Sequence, residues 1–258
     1  MIPIGIATDF ENLPEVQALG YDFVEVPLCA LAALPDDDFE EFAGWCEGAG
    51  VRVQAVNRIL PEELPIVGPA VRAPALHDYL TRAFGRCRRL RVRVAVLDAP
   101  ASRAVPSGFD TPMAWRQLGN FLRLCQGHAR ECGLVVAVEP LRKADCNLLN
   151  LVSEATLMAG LLQLGNVGVA ANTGSMGMAA EPLSALRRTG STLCHVHVEN
   201  ALTRRMPREG DGEDYFNLMR TLKQIGYAGG VSVCSQASGD FALDARAALL
   251  CLSQAQRR

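Results

Sequence analysis

Apolar residues fall in short runs along this chain, and between the runs they recur at the three-and-four spacing of amphipathic helices. The strand-like runs are IPIGIAT (2–8), DFVEV (22–26), VRVQAVN (51–57), VRVAVL (92–97), LVVAVE (134–139), NVGVAA (166–171), TLCHVHV (192–198) and GVSVC (230–234). Helical patterning covers Asp37–Ala49, Ala75–Arg89, Thr111–Cys132, Leu151–Leu164, Glu213–Ile225 and Phe241–Ser253. Asp110 with Pro112 marks one helix start, and Ser153 and Asp240 are cap candidates. Gly50, Gly133 and Gly165 sit where helices should stop. Eight strands in alternation with helices predict a parallel sheet closed into a single (β/α)₈ TIM barrel over residues 1–258. An open doubly wound sheet would carry a glycine-rich loop after its first strand, where this chain reads ATDFENL.

Composition narrows the picture. At 258 residues, 49% hydrophobic and 21% charged, the chain has the size of one barrel and the apolar content for a large core. A formal charge of −3 argues against nucleic acid as a partner. The basic cluster Arg86, Arg88, Arg89, Arg91 and Arg93 closes a helix, where cations are favoured, and reads as a structural patch. Nine single cysteines without a CxxC pair, and an N-terminus lacking a secretory pattern, point to a reduced cytoplasmic protein. The most apolar window, 155–171, is interrupted by Gln163, Gly165 and Asn166, so no membrane span is expected.

In such a barrel the chemistry gathers where strands end and βα loops begin. The strand ends supply Asn57, Asp98, Glu139, Asn172, His197 and Cys234, with Glu25 inside the second strand. A ring of polar residues at one rim predicts a binding pocket. Glu139 and His197 are its two metal-friendly members.

Glu25, Asn57, Glu139 and His197 sit within segments that together resemble the sugar phosphate isomerase/epimerase family, the xylose-isomerase-like TIM barrels. The segments are YDFVEVPLCAL, VQAVNRILPEELPIVGPAV, RAVPSGF, VEPLRKADCN, HVHVENALTRRMP, GDGEDY and IGYAGGVSV. The resemblance implies a divalent cation held by a Glu, an Asp, a His and a second Glu, with the two glutamates moving a proton beside a ketose carbonyl. Carried over by position, Glu139 is the catalytic carboxylate and, with His197, a retained ligand. Asn172 and Cys234 occupy the other two ligand positions. Ser175 stands where a substrate-contacting His is usual, and Asp145 where a Glu is usual. His195, Arg204, Arg205 and Asn57 are the expected substrate-binding residues. An amide and a thiol suit Mg²⁺ or Mn²⁺ poorly, whereas Zn²⁺ accepts mixed donors. No cofactor is therefore counted on, with zinc or manganese as the candidates. The expectation is a barrel with a partly lost metal site that binds or slowly transforms a small carbohydrate or sugar phosphate. The alternatives are an active metal-dependent ketose isomerase and a non-catalytic scaffold, and pairing as a homodimer fits either.

Overall fold

The structure, a computed structural model, describes residues 1–235, 237 and 239–257. Eight strands, β1 (Ile4–Ala7), β2 (Phe23–Pro27), β3 (Val53–Asn57), β4 (Val94–Leu97), β5 (Val135–Val138), β6 (Val167–Asn172), β7 (Leu193–Val198) and β8 (Gly230–Val233), close into a barrel in sequence order. Every neighbouring pair is parallel, including β1 with β8. Each predicted run overlaps its strand, which starts up to two residues later because the first residues of a run still belong to the preceding turn, and β2 and β6 extend one residue past their runs, to Pro27 and Asn172.

The long helices also follow the pattern, and Thr111–Cys132 coincides with it. Asp110 caps that helix by accepting from the Met113 N–H at 2.7 Å, and Asp240 does the same for Leu243 at 3.1 Å. Ser153 is not the cap of helix Val152–Leu162. The Glu181 carboxylate takes the first N–H groups there, from Val152 at 2.7 Å and Ser153 at 3.1 Å. The helix also ends before Gly165, at Gln163 in the left-handed conformation. Short helices at Leu13–Leu19, Leu28–Ala33, Pro100–Arg103, Thr173–Met178 and Ser184–Thr189 escaped the periodicity reading, which needs more than two turns to register. The arginine cluster is structural at its first member. Arg86 is buried, donates to the Leu31 carbonyl and to Asp36, and lies 4.7 Å over the Phe39 ring.

Apolar strand faces and helix stripes form one continuous core around the barrel. The floor is closed by Phe23, whose ring covers two backbones. A Cβ at Gly5 would fall inside the ring, and one at Gly230 would lie 2.7 Å from it. Glycine is needed at both for close approach. Gly5→Ala should therefore cost about 1–3 kcal/mol by overpacking. In a Phe23→Ala background the same change should be nearly neutral. Urea unfolding of the two singles and the double tests this, and additive losses would mean the ring does not fill that space.

Candidate functional site

The polar interior is built from residues two apart on one strand. His195 and His197 share the inner face of β7, with rings edge-on at 4.9 Å. Glu25 reaches them from β2, across the lumen. Its Oε2 lies 2.9 Å from His195 Nε2 and its Oε1 lies 2.8 Å from His197 Nε2. All three residues are at most 1% exposed. Their donor atoms fall within 4.8 Å of one another, a spacing that could hold a metal ion. In this arrangement they are already turned onto each other.

The chain of contacts continues upward. His197 Nδ1 lies 3.1 Å from Glu139 Oε2, so both ring nitrogens face carboxylate oxygens. An imidazole between two carboxylates is satisfied only when both nitrogens donate. Asn172 completes the row. Its Oδ1 accepts from the Ser175 N–H at 3.0 Å, which fixes the amide so that Nδ2 donates to Glu139 Oε1 at 2.8 Å. Asn172 thus turns a donor, not an oxygen, toward the carboxylate.

Electrostatics follow from these contacts. Burial alone would lift the carboxyls of Glu25 and Glu139, but the histidines hold both below the ordinary range, with Asn172 helping at Glu139. Burial opposes charge on His197, yet Cys234, Glu25 and Glu139 raise it well above the ordinary imidazole value. Burial pushes the Cys234 thiol up, against the pull of His197. Burial also raises Asp98, with the charge of Glu139 adding to it, and raises Glu199 against the pull of Arg142 and Arg204.

Above the row opens a cavity of about 730 Å³ whose wall includes Asn57, Asp98, Glu139, Asn172, Ser175, Arg204 and Cys234. The structure thus brings most of the strand-end residues to one mouth. His195 is sealed beneath it against Glu25 and forms no part of the wall, because its inner-face position lies one step below the strand end. Arg205 also stands off the wall and is exposed. Arg204 reaches the wall from a left-handed backbone and lies 3.8 Å from Asp145. Three residues outside the expected set complete the site. Arg142 pairs with Asp145 at 3.0 Å and approaches Glu199 at 3.9 Å. Glu199 occupies space that a Cβ on Gly174 would fill. Arg103, fully buried, donates to the carbonyls of Leu97 at 3.1 Å and Glu139 at 2.7 Å and pins the ends of β4 and β5. A charged residue inside an apolar strand flagged Glu25; nothing local flagged Arg103.

A family model described as xylose isomerase-like TIM barrel matches residues 13–254. No curated protein matches the sequence. Among solved structures, 3-keto-D-glucoside 4-epimerase from E. coli superposes with a TM-score of 0.85 at 19% identity, covering 98% of this chain and 100% of that one. D-psicose 3-epimerase from Clostridium cellulolyticum H10, solved with D-tagatose, gives 0.85 at 20% identity and 99% of both chains. An L-ribulose 3-epimerase gives 0.83 at 19%, covering 100% of this chain and 96% of its own. At these identities the likeness is one of fold. No helix among the described residues is long and apolar enough to cross a membrane.

The buried charges set a pH dependence. Glu25 and Glu139 are lowered, so their stabilisation is present above about pH 4.5 and lost as the pH falls. His197 is raised, so its share is present below about pH 6.5 and lost as the pH climbs toward its folded value. Resistance to urea should peak between those two values and decline on the alkaline side. A midpoint that keeps rising above about pH 6.5 would show that His197 is neutral in the fold.

Proposed function

This chain belongs to the xylose isomerase-like TIM-barrel family, and from that premise we propose that it binds a small uncharged carbohydrate at the barrel mouth and transforms it slowly, without a hard divalent cation. The orientation of Asn172 carries this reading. A hard cation beside Glu139 and His197 would need an oxygen from position 172, but that oxygen is committed to Ser175 and the NH₂ points at Glu139. The fourth donor would be Cys234, a thiol held protonated by burial. The set does not fit Mg²⁺ or Mn²⁺. Zinc would accept a nitrogen, an oxygen and a sulfur, but only by displacing protons from both His197 and Cys234.

The residues themselves offer acid–base chemistry. Glu139 is a carboxylate on the cavity wall, and His197 holds a proton one hydrogen bond away. A carboxylate on the wall can take the proton from the carbon beside a sugar carbonyl and return it to the same face, while the His197 proton stays on Glu139 and offsets its charge rather than reaching the sugar. Two donors already engage the Glu139 charge, which makes it a weak base and the reaction slow. Carbohydrate as the ligand class is supported by the sugar epimerases that share the fold. Absence of a phosphate is supported by the wall. Asp9, Glu11, Asp98, Glu139, Asp145 and Glu199 face three arginines, and each arginine is within 4.0 Å of one of those acids.

The test combines metal content with binding. Purified protein should hold no stoichiometric Mn²⁺, and calorimetry with D-fructose, D-tagatose and D-allulose should show binding that a chelator leaves unchanged. Glu139→Gln should slow any epimerisation by about 10²–10⁴-fold while the sugar still binds. The double change Asn172→Asp with Cys234→Glu should create Mn²⁺ affinity, with either single change doing far less. Wild-type protein keeping a full equivalent of Mn²⁺ through dialysis would sink the metal-free reading.

A further inference from the structure

The mouth carries a second group of polar atoms that this chemistry does not use. Asp98 follows β4, and its carboxylate accepts from the backbone N–H groups of Ala99 at 2.7 Å and Arg58 at 3.1 Å. Both donors are left-handed, with φ of 33° at Ala99 and 43° at Arg58. A residue with a Cβ avoids that conformation unless its surroundings impose it, and such positions cluster at ligand sites. The Arg58 guanidinium does not neutralise Asp98; it turns away to Asp9 at 3.4 Å. Among the described residues Asp98 forms no ion pair.

Asn57, one residue before Arg58, ends β3 and shares the cavity wall. It is 7% exposed, and its Nδ2 faces Cys234 Sγ at 4.0 Å. Its Oδ1 is buried with no hydrogen-bond partner. A buried oxygen without a donor is costly, and native structures seldom leave one. Two residues on neighbouring strand ends that line one cavity thus each bring an acceptor, the one buried and unsatisfied and the other uncompensated by a cation.

We propose that Asn57 Oδ1 and the Asp98 carboxylate form a subsite that accepts the protons of two ligand hydroxyl groups. This rests on the carbohydrate reading above and adds specificity to it. Asn57 Oδ1 and the ionised carboxylate only accept, so a ligand must bring an O–H to each. A sugar lacking one of those hydroxyls leaves a buried acceptor bare and is rejected. The left-handed pair Arg58 and Ala99 holds the carboxylate in place before the ligand arrives, so no reordering is needed on binding.

The backbone amides of Arg58 and Ala99 report directly on Asp98, so their ¹⁵N–¹H resonances in the whole protein are the readout. The probes are D-fructose and glycerol, a minimal polyol without a carbonyl. Both should shift these two amides. Asp98→Ala, Asp98→Asn and Asn57→Ala should each weaken D-fructose by about tenfold or more, whereas Arg187→Ala, on an outer helix, should not. The isosteric Asn guards against loss of fold in the Ala variant. D-Fructose binding without moving the Arg58 and Ala99 amides would overturn the subsite and leave the carbohydrate reading intact. Glycerol moving them while no ketose binds would support the subsite and remove that reading. If neither probe moves them, the subsite is wrong.

Discussion

One carboxylate laid across the lumen orders the polar interior. Glu25 reaches from β2 to two histidines on β7 and gives one oxygen to each. That commits both Nε2 atoms downward, and leaves His197 Nδ1 as the edge that faces the mouth. Glu139 meets that edge, and Asn172 meets Glu139. Charges buried at 1% exposure or less are expensive to desolvate, and such a cluster persists only when every member is matched. Removing Glu25 would strand two buried imidazoles at once.

A second tier holds the tops of the strands. Arg103 gathers the carbonyls of Leu97, the last residue of β4, and of Glu139, the residue after β5, which ties the starts of the two following loops together. Gly174 gives Glu199 its room, while Thr173 ties the Glu199 backbone at both its N–H and its carbonyl. The mouth is thereby set by backbone contacts from β4 through β7.

The barrel was legible because period and alternation repeat over the whole chain, so eight weak signals reinforce one another. Long helices with a cap and a terminal glycine were equally plain. Helix 152–162 was mis-capped because its real cap, Glu181, comes from a residue far along the chain. At the site, strand ends located Glu139, Asn172, Cys234 and Asn57 on one wall, since a strand end is a local property. That His195 and Arg205 lie off that wall was not legible, because depth along a strand and the turn of a loop are not local. Arg103 was invisible: its partners are main-chain oxygens, which no residue pattern encodes. The orientation of the Asn172 amide could not be read either, because it depends on a backbone N–H three residues away.

The floor bears on how the molecule assembles. Phe23 lies against Gly5 and Gly230, where the first and last strands meet. That seam joins segments more than two hundred residues apart, so its loop-closure entropy is the largest of any strand pair in the barrel. Until β8 arrives, the aromatic ring faces an open edge. Closure is then expected to come late in folding and to be slow, as distant pairings are. On the nascent chain, a nearly complete barrel would wait with its floor unsealed until the eighth strand emerges.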